Sequence, residues 1–598
     1  MADTLIVGID FGTTFSGVAA AYSASPESPD EINIVKTWPG GNNITSDKVP
    51  SEVAYGVRQS TSSAMRARAS GASDVFNLDP LNQTLDHALQ SSGDTMRWGF
   101  QIRPDEDRLR CLKLFLDPSQ PIPDHISLPD VRQQLMLCGK NVNIVVAEFL
   151  RALFAHTKEI LSRRYGQQFV ATTKLKIVLT VPAVWSDTAK DATLKAAEAA
   201  GMGNDIAMIS EPEAAAVYTL QAIQPNNLKV GNNFIVIDAG GGTVDLISYR
   251  IEQLKPLRLE ETAKGSGGFC GAAFLNVRFE KFVRDKLGIT AFDTIRTTKP
   301  KSWLMALKYF EEYVKRNYNP SDDLEFNIPF PGVPDNPNAG IEGGFLVMDS
   351  TDVGMLFRPI IDDIISLVEG QIAQLRGAGL EVDGLVLVGG FGQSECLLQY
   401  LKSQFSNGPR GIEVLQPVNA WTAVVRGAVL RGLEGGELVT SRKARRHYGV
   451  RCRKLYDAAL HPPSSKTWDE LGECWKAEGQ MWWYISKGQT VLSTQPVLFP
   501  FFRTFTPGAS KTIIEELIIC DKDTAPAGFN SATTRSVCKM VVNLGTVPQH
   551  LWDRRCNSQG NVYESLTYDV GMQIESGGLR FDFRVDGVIY GTATATFV

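Results

Sequence analysis

The sequence lacks the features that mark several common classes of protein. No stretch approaches the roughly 20 consecutive apolar residues that a membrane-spanning helix needs. The net charge of −6 gives no general reason to expect nucleic-acid binding. The nine cysteines form no C-x-x-C pair and their number is odd, which favours reduced thiols over a disulfide framework. We therefore expect a cytoplasmic protein with no membrane partner and no nucleic-acid partner.

Two familiar nucleotide-binding signatures are absent as well. The sequence contains no G-x-x-x-x-G-K-[ST] segment, which excludes a P-loop protein. No G-x-G-x-x-G opens a helix after a strand near residue 10, which disfavours a dinucleotide-binding fold. The six histidines show no metal-ligand spacing among themselves, and we assign them no catalytic role. A basic run over residues 442–454 offers a nuclear address as an alternative location, although a solvated face is the simpler interpretation.

What the sequence does contain is one local design used twice. Residues 9–14 (IDFGTT) and residues 237–243 (IDAGGGT) each follow a short apolar run typical of a β-strand. In both segments an acidic residue ends the strand, and a turn rich in glycine and threonine follows. Glycine lets backbone N–H groups approach an anion closely, threonine adds hydroxyl donors, and the carboxylate suits a metal ion. With a third glycine cluster at residues 389–392 (GGFG), these segments predict two related lobes that enclose a nucleotide.

Strands and helices alternate up to about residue 436, a pattern typical of α/β proteins. We predict one lobe over residues 1–225 and a second over residues 226–436. Helices are expected over residues 142–164 and 357–375, where apolar residues recur at helical spacing. Residues 58–95 and 320–337 are expected to form loops or insertions, because they carry no strong periodic pattern or are rich in proline and asparagine.

The composition changes beyond residue 436. Residues 579–585 (LRFDFRV) alternate between apolar and charged side chains, and Asp586 and Gly587 follow before a second apolar run. This arrangement is typical of a β-hairpin closed by a type I′ turn. We therefore predict a β-rich C-terminal domain over residues 437–598. Four tryptophans in it, Trp468, Trp475, Trp482 and Trp483, are interpreted as sheet or core packing, with a peptide-binding groove as the alternative.

The motifs of the first 435 residues resemble those of the heat-shock protein 70 family, within the superfamily that also contains actin and hexokinase. The resemblance rests on residues 7–16 (VGIDFGTTFS), 178–183 (VLTVPA), 209–216 (ISEPEAAA), 238–245 (DAGGGTVD), 312–316 (EYVKR) and 387–390 (LVGG). It is much weaker over residues 440–598. It implies an actin-like ATPase fold of two ribonuclease-H-like lobes, followed by a β-rich domain that resembles a lidless substrate-binding domain.

The resemblance also implies ligands and residue roles. ATP or ADP would bind with Mg²⁺, which Asp10 and Asp238 would hold through water molecules. Glu211 and Asp245 would orient the attacking water, and the Thr243 hydroxyl would contact the γ-phosphate. The residues implied to bind the nucleotide are Gly12, Thr13, Thr14, Phe15, Gly240, Gly241, Gly242, Thr243, Glu312, Lys315, Arg316, Gly389, Gly390 and Gln393.

The sequence departs from the family's pattern at three positions. A lysine that reaches the γ-phosphate in the family has Arg103 as its nearest candidate here, and an arginine is bulkier and fork-shaped. Ala272 stands where the family carries an acid after paired glycines, and Trp421 stands where an aspartate is expected. We still expect nucleotide binding despite these departures, but they put the rate of hydrolysis in question.

The resemblance therefore predicts a chaperone-type protein that binds ATP, hydrolyses it slowly and uses nucleotide state to bias polypeptide binding by the C-terminal β domain. A catalytically weak, nucleotide-gated binding or scaffold module of the same fold is one alternative. A small-molecule kinase on that fold is another, and actin-like filament formation is a further one. The predicted partners are polypeptide clients or a partner protein.

Overall fold

The computed structural model describes residues 3–24, 32–42, 45–56, 96–103, 106–118, 120–123, 126–223, 226–407, 411–436 and 438–597. The loop expected over residues 58–95 lies entirely outside the described residues. The chain divides into two units. The first unit comprises Met1–Leu257 and Gly265–Gly436, and the second comprises Arg258–Lys264 and Glu437–Val598.

The first unit begins with an α/β lobe, lobe I, whose sheet has the order β3-β2-β1-β7-β8, with β4 paired to β2. Its strands are β1 (Thr4–Asp10), β2 (Phe15–Tyr22), β3 (Asn33–Ile34), β4 (Val49–Pro50), β5 (Val53–Tyr55), β6 (Met96–Trp98), β7 (Lys174–Val181) and β8 (Ile206–Ser210). Its helices are α1 (Leu128–Cys138), α2 (Val142–Tyr165), α3 (Gln167–Thr172), α4 (Asp187–Ala197) and α5 (Glu211–Ala222). Two short 3₁₀ helices are Gly99–Gln101 and Leu112–Leu116.

The apolar patterning accounts for this lobe. The last six residues of β1 are buried, as expected for a central strand covered on both faces, and β1 runs antiparallel to β2 and parallel to β7. The helix predicted over residues 142–164 is α2, whose buried positions repeat every three or four residues. The Ser186 hydroxyl accepts a hydrogen bond from the Ala189 N–H and so caps the N-terminus of α4.

The rest of the first unit, lobe II, has its own hydrophobic core. Its strands are β9 (Asn233–Ala239), β10 (Val244–Leu254), β11 (Leu257–Gly268, of which Arg258–Lys264 belongs to the second unit), β12 (Glu325–Pro329), β13 (Ile341–Glu342), β14 (Phe345–Asp349), β15 (Gly384–Val388) and β16 (Glu413–Leu415). Its helices are α6 (Ala273–Leu287), α7 (Ile289–Thr298), α8 (Pro300–Tyr309), α9 (Lys315–Asn317), α10 (Ser350–Gly377), α11 (Glu395–Phe405) and α12 (Ala423–Glu434). A π-helical turn, Phe310–Val314, joins α8 to α9.

Three features of lobe II differ from the sequence-based expectation or extend it. The segment expected to be a loop over residues 320–337 contains β12, which pairs with β14 in a small sheet. Helix α10 begins seven residues before the predicted helix and continues through Pro359, with the Asp349 carboxylate capping its N-terminus. Helix α12 packs on lobe I: a side chain at Gly427 would collide with the Ala214 carbonyl, and one at Gly8 would lie 2.8 Å from the Val425 carbonyl oxygen.

The second unit is built from β-strands. Its strands are β17 (Val439–Lys443), β18 (His447–Leu455), β19 (Lys466–Asp469), β20 (Cys474–Ile485), β21 (Thr490–Leu492), β22 (Val497–Phe505), β23 (Thr512–Cys520), β24 (Thr534–Asn543), β25 (Asp553–Cys556), β26 (Val562–Ile574), β27 (Leu579–Val585), β28 (Val588–Thr592) and β29 (Thr594–Phe597). One sheet has the order β19-β20-β18-β23-β24-β29, and another has the order β22-β26-β27-β28, with β25 paired to β26. Buried side chains from both sheets, among them Leu517 and Phe583, share one core.

The structure contains the predicted hairpin of β27 and β28. Asp586 and Gly587 have φ angles of 49° and 78°, and two positive φ angles are what a type I′ turn requires. The last strand, β29, pairs with β24 of the other sheet. The architecture confirms the predicted α/β region followed by a β-rich C-terminal region. Among the described residues, no helix is both long and apolar enough to cross a membrane.

The side chains of Trp468, Trp475 and Trp482 are 48%, 48% and 51% exposed, so they do not pack in the core. They lie on strands β19 and β20, where the rings of Trp468 and Trp475 meet edge-on across the strand pair with centroids 5.1 Å apart, as sheet packing predicts. The solvated face expected for the basic run is wrong for its first half. There Arg442 is buried and Arg445 forms an ion pair with Glu261 at 3.4 Å.

Candidate functional site

A cleft in the first unit is lined by residues from both lobes and has an empty volume of about 1130 Å³. The predicted phosphate-binding turns and the third glycine cluster all reach it. The lining residues predicted from the sequence are Asp10, Gly12, Thr13, Thr14, Phe15, Glu211, Asp238, Gly240, Gly241, Gly242, Thr243, Asp245, Lys315, Arg316, Gly389, Gly390 and Gln393. Five separate stretches of the chain therefore converge on one surface, which is the arrangement the repeated motif predicts.

The two glycine-threonine turns touch each other in the cleft. A side chain at Gly241 would collide with the Thr14 hydroxyl, and a Cβ at Gly242 would lie 2.9 Å from Thr13 Cγ2. Gly271 supports the second turn from behind, since a Cβ there would lie 2.5 Å from the Gly241 carbonyl oxygen. The absence of these side chains lets the two turns approach closely, as a phosphate-binding loop requires.

Asp10 ends β1 and is held by two donors. Lys48 Nζ lies 2.6 Å from Asp10 Oδ2, and the Thr180 hydroxyl donates to Asp10 Oδ1 at 3.1 Å. Burial by itself would raise the pKa of Asp10, but the ammonium groups of Lys48 and Lys113 and the two hydrogen bonds outweigh it and lower that pKa. Asp10 therefore carries its negative charge in the folded protein.

Glu211 and Asp238 lie near Asp10 in a cluster of buried acids. Burial raises the pKa of Glu211 to about 7, and the charges of Asp10 and Asp245 add to the effect against the opposing Lys113. Burial also raises the pKa of Asp238 well above its ordinary value, helped by the charges of Glu211, Asp245 and Asp10. A cation brought into such a cluster is stabilised by every acid around it.

A hydrogen bond joins two of the predicted catalytic residues. The Thr243 hydroxyl donates to Asp245 Oδ2 at 3.1 Å, directly after the second glycine turn. Glu211 begins α5 and accepts a hydrogen bond from Lys113 Nζ. These four side chains all line the cleft. The arrangement can position a water molecule between carboxylates and place a hydroxyl near a phosphate.

Aromatic and basic side chains line the other end of the cleft. The Arg316 guanidinium lies over the Trp421 ring, 4.8 Å from its centroid, and Phe15 meets the same ring edge-on. Lys315 is buried; its ammonium donates to the Ala272 carbonyl at 3.1 Å and lies 3.6 Å from Glu311. Flat aromatic and guanidinium surfaces suit a nucleoside, since both can stack on a base.

The third glycine cluster lies between the two ends of the cleft. Gly389 has a φ of +93°, and a Cβ there would lie 2.5 Å from Asp238 Oδ1. A Cβ at Gly390 would lie 3.4 Å from the Trp421 ring. Only glycine combines the positive φ of residue 389 with this approach to a buried carboxylate.

Two residues considered from the sequence, Glu312 and Arg103, are not among the described residues that line the cleft. Glu312 is exposed and lies 3.9 Å from Lys308 on the surface, whereas its neighbour Glu311 lines the cleft. The π-helical turn over Phe310–Val314 changes which residues face inward, and the sequence pattern did not reveal it. Arg103 is exposed, and within the described chain it is not among the residues that line the cleft.

Two lysines of the cleft were missed by the sequence analysis. Lys113 lies in the buried 3₁₀ helix Leu112–Leu116, where a lone lysine among apolar residues was a usable signal. Lys48 lies just before β4 and carried no such signal. Trp421 and Ala272, recognised as departures from the family, both line the cleft.

Comparison with known proteins finds sequences similar to this chain. Residues 145–440 match the family model described as Hsp70 protein. Heat shock 70 kDa protein 12B of Homo sapiens is 25% identical over 542 residues, covering 77% of this chain and 73% of that protein. Heat shock 70 kDa protein 12A of Homo sapiens is 24% identical over 538 residues, covering 77% and 74%. A mitochondrial-type heat shock protein 70 of Encephalitozoon hellem is 28% identical over 276 residues, covering 45% and 42%.

The two-lobed fold and its paired acidic-glycine turns are those of the actin-like ATPase superfamily. The chain is a divergent Hsp70-like member of that superfamily, and it is an Hsp70-like ATP-binding protein.

Members of this superfamily generally bind ATP or ADP together with Mg²⁺. The donor set here fits such an ion in part. Asp238 is a buried carboxylate surrounded by other acids, which is the environment that a divalent cation relieves. Asp10 fits less well, because each of its two oxygens already accepts a hydrogen bond from a protein side chain.

Proposed function

We propose that this protein hydrolyses ATP slowly in the cleft and that nucleotide state sets how tightly the second unit holds a polypeptide. The observation that carries the proposal is the pairing of Lys113 with Glu211 beside the Thr243–Asp245 hydrogen bond, in one cleft with both glycine turns. The reaction needs positioning more than strong base chemistry, and this set supplies positioned groups.

In this proposal, the backbone N–H groups of the two glycine turns hold the β- and γ-phosphates. Glu211 and Asp245 orient a water molecule, whose oxygen forms a bond to the γ-phosphorus while the bond to the β-phosphate oxygen breaks. The proton of that water passes to a carboxylate, and ADP and phosphate leave. A bound Mg²⁺, held through water by Asp238, would neutralise charge on the phosphate oxygens.

The second unit supports the polypeptide part of the proposal. Strands β19 and β20 expose Trp468, Trp475 and Trp482, and Trp482 stacks on Tyr484 with ring centroids 5.7 Å apart. Phe502 on β22 is 50% exposed. Aromatic surface of this kind combines contact area with few rotatable bonds, which suits binding to an extended apolar segment.

A nucleotide-gated binding module with no turnover is the second candidate. It is favoured by two cleft residues, Ala272 and Trp421, which carry no charge at positions where the family has acids. Loss of those acids would leave the phosphate-binding turns intact while weakening the positioning of the ion and of the water.

Single-turnover phosphate release with Mg-ATP separates the two candidates. We expect release from the wild-type protein to exceed that of Asp245→Asn by about 10²-fold, because the variant loses an oriented carboxylate. Asp205→Asn, an exposed aspartate that pairs with Lys174 at 3.3 Å, is the matched control and should behave as wild type. Wild-type release no faster than that of Asp245→Asn would reject hydrolysis and leave the binding module.

The coupling to polypeptide needs its own measurement. A fluorescein-labelled heptapeptide rich in leucine is titrated against the protein in ATP and in ADP, and anisotropy gives the two dissociation constants. We expect them to differ by at least about fivefold, a modest coupling free energy of about 1 kcal/mol. Equal constants in the two nucleotides would remove the coupling from the proposal.

A further inference from the structure

Lys48 places a positive charge inside the triphosphate end of the cleft. Its side chain is 8% exposed, and its ammonium lies 2.6 Å from Asp10 Oδ2. Asp10 is one of the two carboxylates that the family resemblance assigns to the hydrated metal ion. A protein cation therefore already sits on one of the two groups expected to serve a divalent cation.

The surrounding strands hold this lysine in place. Asp10 and Gly17 are direct partners in the antiparallel pairing of β1 and β2. A Cβ at Gly17 would lie 3.1 Å from Lys48 Cγ and 3.3 Å from its Cε, so the lysine stem crosses β2 where no side chain stands. The glycine opposite Asp10 thus opens the path along which Lys48 reaches it.

Hydrogen bonds hold the backbone in place on both sides of Lys48. The Ser46 hydroxyl donates to the Lys48 carbonyl at 2.7 Å, and the Ser51 N–H donates to the Thr14 carbonyl at 2.9 Å. Residues 49 and 50 pair with β2 at Ser16 and Phe15. The ammonium is therefore positioned by the same strand that leads out of the first phosphate-binding turn.

Lys48 supplies positive charge that a metal ion would otherwise bring to this end of the cleft. One Asp10 oxygen accepts from Lys48 and the other accepts from Thr180, so the protein already occupies one acceptor position on each oxygen. A lysine ammonium is a compact point charge with three donors, and it can bind a carboxylate and a phosphate oxygen together. The Lys48 ammonium therefore provides part of the positive charge that a divalent ion would bring from solution.

We propose that Lys48 is a fixed cation of the triphosphate site that makes ATP binding largely independent of Mg²⁺. The inference rests on the proposed ATP site and goes beyond it, since it assigns a residue that sets the ion requirement. The Asp238 carboxylate is still available to a divalent cation. Bound Mg²⁺ therefore strengthens ATP binding but is not required for it.

Calorimetric titration of ATP into the protein, in excess MgCl₂ and in excess EDTA, measures this directly. We expect the wild-type dissociation constant to change by less than about tenfold between the two conditions, whereas that of Lys48→Met changes by at least about 100-fold. Lys48→Arg keeps the charge and should stay close to wild type. Lys36→Met is the matched control, because Lys36 is exposed and pairs with Asp47 at 3.0 Å on the surface.

Gly17→Val tests the same idea without touching a charge. The new side chain would occupy the path of the Lys48 stem, so this variant should acquire the Mg²⁺ dependence of Lys48→Met. Circular dichroism checks that each variant is folded. The wild-type comparison stands even where a variant does not fold.

The outcomes are distinct. A wild-type dissociation constant that rises by more than about tenfold in EDTA overturns the role of Lys48. A Lys48→Met variant whose dissociation constant changes between MgCl₂ and EDTA by the same factor as that of the wild type also overturns it. Absence of ATP binding in both conditions would instead overturn the ATP site on which the inference rests. The fixed cation is established if the ATP dissociation constant changes little between MgCl₂ and EDTA in the wild type but changes strongly in Lys48→Met.

Discussion

The Lys113 ammonium donates a hydrogen bond to Glu211 Oε1, and both side chains are almost completely buried. This pair joins the 3₁₀ helix Leu112–Leu116 to the first residue of α5, 98 positions further along the chain. It is an internal ion pair at the floor of a ligand cleft. Such a pair is costly to break, because removing one partner leaves the other charge buried without compensation.

Lys113→Met should lower phosphate release by about 10²-fold, because Glu211 loses the group that orients it. The thermal midpoint should fall as well, though less than for an unrelieved buried charge, since Glu211 has a pKa of about 7 and can take up a proton. Phosphate release and calorimetric unfolding measure the two effects. Lys140→Met breaks another buried pair, with Glu148 at 2.5 Å, and should lower stability without changing release per folded molecule.

Thr243→Ala removes a hydroxyl from the γ-phosphate end of the cleft. We expect turnover to fall by about 10-fold to 100-fold while the dissociation constant of ADP changes little, because ADP lacks the group that is contacted. Single-turnover release and ADP calorimetry provide the comparison. Thr172→Ala, at an exposed hydroxyl in α3, serves as the control. Equal losses in turnover and ADP affinity would show that Thr243 does not act at the γ-phosphate.

Trp421→Ala probes the nucleoside end. Arg316 and Phe15 both contact this ring, so its loss should weaken ATP and ADP to the same degree, by about fivefold to tenfold. Calorimetry with both nucleotides measures the ratio. Trp468→Ala, at an exposed tryptophan of the second unit, should leave both affinities unchanged. A Trp421→Ala effect on ATP alone would contradict the placement of the nucleoside beside this residue.

Glu515 should make the second unit's stability depend on pH. Its carboxylate accepts hydrogen bonds from Arg503 at 2.7 Å and from Tyr568 at 2.9 Å, yet burial outweighs them and raises its pKa above the ordinary 4.5. A raised folded-state pKa contributes stability that is fully present below pH 4.5 and is lost as the pH rises through the folded value.

Chemical denaturation of the full chain, followed between pH 4 and pH 8, checks this sign. The glutamine of Glu515→Gln does not titrate. The unfolding free energy of this variant should therefore lack the part of the pH dependence that Glu515 contributes. Glu516→Gln, at the neighbouring position on the same strand, is the matched control and should keep the slope. A Glu515→Gln variant with the same pH slope of unfolding free energy as the wild type would contradict the assignment.

The local design of the cleft was readable because it consists of short contiguous motifs. Asp10 and Asp238 each follow a buried strand and precede a glycine turn, and such strand-to-turn signals need no knowledge of distant residues. The type I′ hairpin at Asp586 and Gly587 was predicted for the same reason. Glu312 was predicted to bind the nucleotide, whereas its neighbour Glu311 lines the cleft; both lie in a π-helical turn, and periodicity alone assumes a regular helix.

The sequence by itself determined the two acidic-glycine turns, the alternation of strands and helices, and the β-rich character of the last 160 or so residues, since backbone conformation and burial pattern are local properties. Only the tertiary structure decided which cations enter the cleft. Lys48 reaches Asp10 through the gap left by Gly17, and Lys113 reaches Glu211 across 98 residues. Contacts of this kind depend on how strands are paired and stacked, and no spacing along the chain encodes them directly.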